Sequence, residues 1–178
     1  YGGLPQVVTE SDEQKKVEYL KHQFTHTYLR DIRERYAIQR DDDLNELVSV
    51  IASTVGSMTN PTNLANTFRS VKKSSVSRDT IAKYLEYMED AFLIERSIRY
   101  DIRGKCYIDT PYKYYFGDIG LRNARINFRQ NDDGHLMENL LYNELRILGF
   151  SVDVGQVFVE EKDADGKRKR ATLEVDFV

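Results

Sequence analysis

Two acidic residues in the last third of the chain have the types and positions of a metal-binding pair. Glu138 lies in GHLMENLLYNELRILGF, residues 134–150, whose apolar residues recur at helical spacing. On a helical wheel Glu138 falls at the margin of the apolar face, so we expect it to point towards the sheet on which that face packs. Asp176 lies in LEVDFV, residues 173–178, whose alternation predicts a strand. Because converging carboxylates suit Mg²⁺, the sequence predicts Glu138 and Asp176 as candidate catalytic and magnesium-binding residues.

A hydrolytic centre would need more groups than these two carboxylates. A third acid or a glutamine, and a lysine on the next strand, would complete the metal shell and orient the attacking water. The chain ends at Val178, before such a strand, so the sequence predicts an incomplete site. Glu174 shares the strand face of Asp176 and is a second-rank candidate. His22 and His26 have a spacing that zinc could use, but without an evident third ligand they are predicted to be solvated.

Composition limits the class of protein. A chain of 178 residues that is 40% hydrophobic and 31% charged can form one domain or two small ones. The net charge of −3 argues against a surface built wholly for nucleic acid. The single cysteine, Cys106, excludes an internal disulfide, and no apolar run approaches the ~20 residues of a membrane helix. We therefore expect a cytoplasmic protein with no membrane partner.

The first forty residues predict a connection followed by a long helix. The chain begins at Tyr1 rather than at methionine, and the turn-forming YGGLP suggests a link from an upstream domain. Ser11 is a candidate helix cap. After it, one apolar stripe recurs at spacings of three and four residues: Val17, Leu20, Phe24, Tyr28, Ile32 and Tyr36.

Residues 41–110 predict three helices followed by a two-stranded hairpin. DDDLNELVSVIASTVG is the first helix, NPTNLANTFRSV is a second that Asn60 caps, and SRDTIAKYLEYMEDAFLI is a third that Ser77 caps. The strands ERSIRYDI and KCYIDT flank Arg103 and Gly104, a plausible hairpin turn. This order is the layout of a winged helix.

A winged helix can bind DNA through its third helix and its wing. The candidates for contact with the major groove are Arg78, Thr80 and Lys83. The candidates for contact with phosphates are Arg96, Arg99, Arg103 and Lys105. The alternative is that these charges only solvate a small domain that contacts other proteins.

Several segments together resemble a known module. GGLP, YLRDIRERYAI, SRDTIAKYLEYMEDAFLI, PYKYYFGDIGLRNA, GHLMENLLYNELRILGF and EVDFV resemble the C-terminal module of a family of bacterial and archaeal AAA+ ATP-binding proteins. The resemblance implies an upstream P-loop ATPase, then a winged helix, then a domain similar to the PD-(D/E)XK nucleases. It matches Glu138 to the helix glutamate of the nuclease motif and Asp176 to the strand aspartate. No G-x-x-x-x-G-K-[ST] motif is present, so ATP is expected to bind only the upstream domain.

The predicted fold is α+β, with a helical winged-helix unit followed by an incomplete nuclease-like unit. Residues 1–40 form the connection and long helix, residues 41–110 the winged helix, and residues 111–178 a truncated nuclease-like domain. We favour a non-catalytic C-terminal module that binds DNA or a protein partner and couples it to the AAA+ ATPase domain. A Mg²⁺-dependent nuclease and a pure protein-interaction scaffold are the alternatives. No cofactor is expected in the chain itself, and the oligomeric state is left open.

Overall fold

Helices precede the first strand, and the rest of the described chain combines strands with two further helices. The computed structural model describes residues 1–39, 41–71, 75–129, 132–162 and 168–178. The helices are α1 (Pro5–Thr9), α2 (Glu13–His22), α3 (Arg30–Arg35), α4 (Asp41–Ser53), α5 (Pro61–Val71), α6 (Arg78–Asp90), α7 (Ile119–Arg125) and α8 (Asp133–Ile147). The strands are β1 (Ile94–Asp101), β2 (Cys106–Phe116), β3 (Val154–Lys162) and β4 (Arg168–Val175). The predicted α+β class is confirmed, and within the described ranges no helix has the length and apolar character needed to cross a membrane.

The long first helix differs from its prediction in its cap and in its buried stripe. Asp12, not Ser11, is the cap, because its carboxylate accepts from the amides of Gln14 and Lys15. A π-helical segment, Gln23–Leu29, joins α2 to α3. A π turn adds a residue to the helical repeat, so the buried residue that follows Phe24 is Leu29 rather than Tyr28.

Of the next three helices, α5 and α6 begin where their predicted caps place them. The Asn60 side chain accepts from the amide of Asn63 at 2.8 Å, and the Ser77 hydroxyl accepts from the amide of Thr80 at 3.1 Å. The order of three helices and a hairpin is as predicted. Whether this unit is a winged helix stays a prediction.

The strands form one mixed sheet in the order β2-β1-β3-β4. β1 is antiparallel to β2 and parallel to β3, and β3 is antiparallel to β4. The hairpin predicted as a wing therefore shares a sheet with the last two strands, and β2 runs through the predicted boundary between residues 110 and 111. Asp165 and Gly166, whose residue types favour a hairpin turn, lie outside the described residues. The domain division itself stays a prediction.

The outer edge of β2 is covered by backbone and side-chain hydrogen bonds. Tyr112 exchanges backbone hydrogen bonds with Thr59, and the amide of Gly56 donates to the carbonyl of Tyr114 at 3.2 Å. At the end of the strand the buried Asn139 of α8 donates to the carbonyl of Phe116 and accepts from its amide, both at 2.8 Å. These bonds attach the middle of α8 to β2 and so position Glu138 beside the strand.

The N-terminal segment lies against the start of α7. The amide of Gly3 donates to the Asp118 carboxylate at 2.7 Å, and the same carboxylate caps α7 by accepting from the amide of Leu121. Gly120 is in such close contact with this segment that an added Cβ would clash with the backbone carbonyl of Tyr1. The YGGLP segment is thus in contact with the cap residue of α7 through Gly3 and with Gly120 of α7 through Tyr1.

Replacement of Gly120 by alanine is expected to displace the N-terminal segment at a cost of about 1–3 kcal/mol, because a backbone carbonyl would have to move. Amide hydrogen exchange should then show faster exchange at Gly3. Gly134→Ala is the matched control, since its nearest neighbour, Asp132 Oδ1, would lie at an ordinary 3.6 Å. If the amide of Gly3 exchanges as slowly in Gly120→Ala as in the unaltered chain, the contact with Gly120 does not hold the N-terminal segment in place.

Candidate functional site

A lysine lies at the centre of a polar cluster between α8 and the sheet. Lys113 of β2 has a side chain only 3% exposed. Its Nζ lies 2.8 Å from Glu138 Oε1, 2.6 Å from Glu174 Oε1 and 3.0 Å from Asp176 Oδ1. We call these four residues the Lys113 cluster. It brings together carboxylates from α8 and from the end of β4.

Glu138 is held by further contacts on the side of α8 that faces the sheet. Its Oε1 accepts from the Tyr115 hydroxyl at 2.6 Å, and its Oε2 lies 3.4 Å from His135 Nδ1. The Tyr115 ring stacks on Tyr142 with centroids 4.2 Å apart. The side chain of Glu138 is 12% exposed, so the prediction that it points inward agrees with the structure.

The reason given for that orientation was wrong. The apolar face of α8 was expected to pack on the sheet, but Met137 and Leu141 are 56% and 47% exposed. The side of α8 that is buried instead carries Asn139 and Tyr142. Hydrogen bonds to the end of β2 orient this helix, because the polar side chains have backbone and carboxylate partners there.

The cluster keeps its lysine charged. Burial opposes the charge of Lys113, but hydrogen bonds to Glu138, Glu174 and Asp176 outweigh that effect and raise its pKa above the ordinary 10.5. The ammonium is therefore a fixed positive charge at neutral pH rather than a base. Burial and the bond to Glu138 also raise the pKa of Tyr115, so its hydroxyl stays a donor. With three carboxylates and one ammonium, the cluster carries a formal charge of about −2 at neutral pH.

The carboxylate oxygens of Glu138, Glu174 and Asp176 are ligands that suit a hard divalent cation. In the structure the ammonium of Lys113 lies between them. Within the part of the chain that the structure describes, no three acidic, histidine or cysteine side chains could hold one metal ion as they stand. A cation would have to displace Lys113 Nζ from at least part of its carboxylate shell. His22 and His26 are exposed, with ring centroids 4.5 Å apart.

The residues of α6 that were predicted to contact the major groove lie in its first two turns. Arg78 and Lys83 are exposed, whereas Thr80 is half-buried and its hydroxyl lies 2.9 Å from that of Ser77. Arg78 has an ion pair with Asp79 at 3.5 Å. It also lines a cavity of about 340 Å³ together with Arg96 of β1.

The basic residues predicted on the hairpin do not lie together. Arg96 lines the same cavity as Arg78, whereas Arg99 and Arg103 form hydrogen bonds to β3. Arg96 lies over the Tyr112 ring, 4.9 Å from its centroid. Arg99 donates to Gln156 Oε1 at 2.9 Å and to the carbonyl of Thr110, and Arg103 donates to the carbonyl of Phe158 at 3.0 Å. Burial lowers the pKa of Arg99. Lys105 is exposed near the turn. Thus Arg78 and Arg96 converge, while Arg99 and Arg103 are directed at β3.

The residue that sequence reasoning missed is Lys113. It is the one lysine within PYKYYF, and it alternates with tyrosines in a segment whose aromatic residues favour a strand. A lysine on the face of a strand that packs against a helix needs acidic partners, because lysine is almost never fully buried alone. That signal indicates a buried ion pair. It does not identify the three carboxylates, which lie 25, 61 and 63 residues further along the chain.

Comparisons with known proteins find one family and two similar proteins of unknown activity. The model of a domain of unknown function (DUF8612) matches residues 1–132. The chain is 37% identical over 163 residues to an uncharacterized protein of Haemophilus influenzae, a match that covers 92% of this chain and 40% of that protein. It is 29% identical over its full length to the uncharacterized protein MJ1544 of Methanocaldococcus jannaschii, covering 37% of that protein. The chain thus spans about two fifths of the length of these relatives, and no solved structure matches it.

Proposed function

The chain belongs to the DUF8612 family, and from the Lys113 cluster we propose that it carries a divalent-cation-dependent centre that cleaves phosphodiester bonds in nucleic acid. The observation that carries the proposal is the convergence of Glu138, Glu174 and Asp176 on Lys113 Nζ, all within 3.0 Å. Lys113 lies inside the region that matches the family, while the three carboxylates lie beyond residue 132.

The residue types fit that chemistry. A hydrolytic site of this kind needs acids to hold a cation and a lysine to stabilise charge on the phosphate. Glu174 provides the third acid that was expected from a missing strand, and Lys113 provides the lysine from a strand earlier in the chain. These two residues support the proposal, because they are of the types that the sequence analysis found missing.

Each residue then has a role that its contacts support. Glu138, Glu174 and Asp176 would hold the cation, which when bound would polarise a phosphoryl group and lower the pKa of a bound water. Lys113 would remain an ammonium and donate to a phosphate oxygen, since its pKa is raised. Tyr115 would orient Glu138 through the hydrogen bond that it donates at 2.6 Å.

Glu138→Gln and Asp176→Asn are each expected to reduce Mg²⁺- or Mn²⁺-dependent cleavage of DNA by at least about 100-fold, because each removes a carboxylate that would hold the cation. Cleavage of plasmid and short duplex DNA measures activity, and calorimetric titration with Mn²⁺ measures cation binding without substrate. Asp133→Asn, a neutralised acid in the first turn of the same helix, is the matched control and should cut and bind as the unaltered chain does. Cleavage that persists in Glu138→Gln, or no Mn²⁺ binding by the unaltered chain, would disprove the proposal.

A second candidate is the non-catalytic module that binds DNA and couples it to an ATPase domain elsewhere in a longer protein. Two observations favour it: Lys113 already neutralises part of the acidic charge, and Arg96 lies over Tyr112 in a cavity that Arg78 also lines. An arginine on an aromatic ring offers both a cation for phosphate and a stacking surface for a base. If this candidate is correct, the chain binds DNA without a divalent cation, and its affinity falls as the salt concentration rises. Arg96→Ala should then weaken this binding.

A further inference from the structure

A groove with a volume of about 1160 Å³ runs beside β1, away from the Lys113 cluster. Its floor is formed by Ile94, Glu95, Arg96 and Ile98 of β1. Its walls come from α8, from the residues just before β3, and from Phe92. We call it the β1 groove.

The floor of the β1 groove contains an open strand edge. Among the described strands, β1 pairs with β2 from Ile94 onward, but its ladder with β3 begins only at Arg99 and Val154. Residues 94–98 therefore have a neighbouring strand on one side. An edge of this length, ~13 Å at about 3.3 Å per residue, accommodates about four residues of an extended peptide.

The backbone groups of this edge face the open side. Tyr114 and Phe116 direct their backbone groups away from β1, to Gly56 and to Asn139. Arg96 and Ile94 are their partners in the antiparallel register. In such a non-hydrogen-bonded pair both residues turn their N–H and C=O groups outward. The amides and carbonyls of Ile94 and Arg96 consequently point to the side on which β3 has not yet begun. Ile94 is only 2% exposed, so Arg96 is the residue of the two whose backbone groups a partner can reach.

Large apolar side chains line the walls of the groove and remain exposed. Phe92 is 84% exposed and has φ +54°, a left-handed conformation that is strained for a bulky residue. On α8, Ile147 is 77% exposed and Leu140 is 40% exposed. An exposed aromatic residue in a strained conformation, beside two exposed aliphatic residues, indicates a contact surface.

The charges of the lining favour a basic partner. The acidic side chains Glu89, Glu95, Asp118, Glu144 and Asp153 outnumber the basic side chains Arg96 and Arg146. Both arginines already face acids, since Arg146 Nε lies 2.7 Å from Glu95 and Arg96 lies 3.8 Å from Glu89.

One of these acids has an unused acceptor. Glu89 Oε1 is buried without a hydrogen-bond partner within the described part of the chain. Burial raises the pKa of Glu89. A donor or a cation from a bound partner would satisfy this oxygen.

We propose that the β1 groove binds an extended basic segment of a partner protein, which adds a strand to the open edge at residues 94–98. The apolar side chains of the segment contact Phe92, Leu140 and Ile147, and its lysines or arginines lie at the acidic rim. Main-chain hydrogen bonds to Arg96 provide affinity, and alternate side chains provide specificity. The proposal does not depend on cation binding or cleavage at the Lys113 cluster.

The backbone and charge requirements can be tested with three labelled peptides and fluorescence anisotropy. The first alternates valine and lysine, the second is the same peptide with alternate amides N-methylated, and the third has glutamate in place of lysine. We expect the first to bind at least about ten-fold more tightly than the other two, because only it offers both free amides and positive charge. Equal binding of all three peptides, or no binding of the first, would overturn the proposal.

Variants of the wall separate binding from folding. Phe92→Gly should weaken binding of the valine–lysine peptide about ten-fold while folding is kept or improved, because glycine adopts φ +54° without strain. Ile147→Ser should also weaken binding. Its control is Leu148→Ser, which alters a residue that is 70% exposed but is not part of the groove lining. If Phe92→Gly and Ile147→Ser bind the peptide as the unaltered chain does, the groove is not its site.

Discussion

Lys113→Met is expected to lower the free energy of unfolding by about 2–3 kcal/mol at neutral pH, because it leaves three carboxylates together without their ammonium. Removal of one partner from a buried ion pair costs about 3–5 kcal/mol. The cost here is smaller because the side chains of Glu174 and Asp176 are 43% and 57% exposed, so water screens part of their repulsion. Urea unfolding at equilibrium measures the difference, and Lys105→Met, on the exposed side of the hairpin turn, is the control.

The pH dependence of this loss identifies its cause. In the unaltered chain the pKa of Lys113 is raised above 10.5 by folding, so its stabilising effect is complete below that pH and is lost only as pH rises through the higher folded value. The deficit of Lys113→Met should accordingly be constant from neutral pH to about pH 9. A deficit that changed between neutral pH and about pH 9 would show that the charge of Lys113 is not its cause.

The same variant distinguishes the two candidate functions. Without its ammonium, the cluster presents three carboxylates to a divalent cation. If the centre is a cation site, Mg²⁺ should restore stability to Lys113→Met as its concentration rises above the dissociation constant. If the cluster is only an ion pair that supports a binding module, Mg²⁺ should have no more effect on the variant than on the unaltered chain.

Asn139→Leu is expected to cost about 3 kcal/mol of stability, because the amide of Phe116 loses its acceptor in a buried position. Asn139 is fully buried, and its two hydrogen bonds to Phe116 resemble those of a neighbouring strand. The carbonyl of Phe116 keeps a second donor in Asn143 at 2.9 Å, so most of the loss should come from the amide. Thermal or urea unfolding measures the effect.

Asn143→Ala is the matched control for this prediction. It removes a bond from the same carbonyl but leaves Asn139 in place, so its cost should stay near or below about 1 kcal/mol. Equal effects of the two variants would mean that α8 is not attached to β2 chiefly through Asn139. Because Asn139 precedes the stacked Tyr142 and follows Glu138, its loss should also weaken any cation binding at the Lys113 cluster.

Local features of the fold could be predicted from the sequence because their causes lie within a few residues. The predicted caps Asn60 and Ser77 each accept from an amide three residues ahead. The helices and strands follow from apolar spacing that is read over one segment at a time. The π turn before Leu29 escaped this reasoning because a change in helical repeat leaves no simple pattern of residue types.

The candidate site was only half predictable. Glu138 and Asp176 were identified from the helical wheel, from strand alternation and from the resemblance to a nuclease motif, and both lie within 3.0 Å of one ammonium. The helical wheel alone would have placed the apolar residues of α8 against the sheet. In the structure the hydrogen bonds between Asn139 and Phe116 decide instead which side of α8 faces the sheet. Lys113 and Glu174 complete the cluster, yet neither had a partner that sequence reasoning could name.

By itself, then, the sequence determined the helices, the strands, most of their caps and the two acidic candidates, because neighbouring residues specify those features. Only the tertiary structure decided that Lys113 lies among Glu138, Glu174 and Asp176. That convergence depends on the strand order β2-β1-β3-β4 and on the parallel pairing of β1 with β3. The same pairing leaves the edge at residues 94–98 open. Strand alternation specifies which face a side chain takes, whereas the choice of neighbouring strand is set by packing over the whole chain.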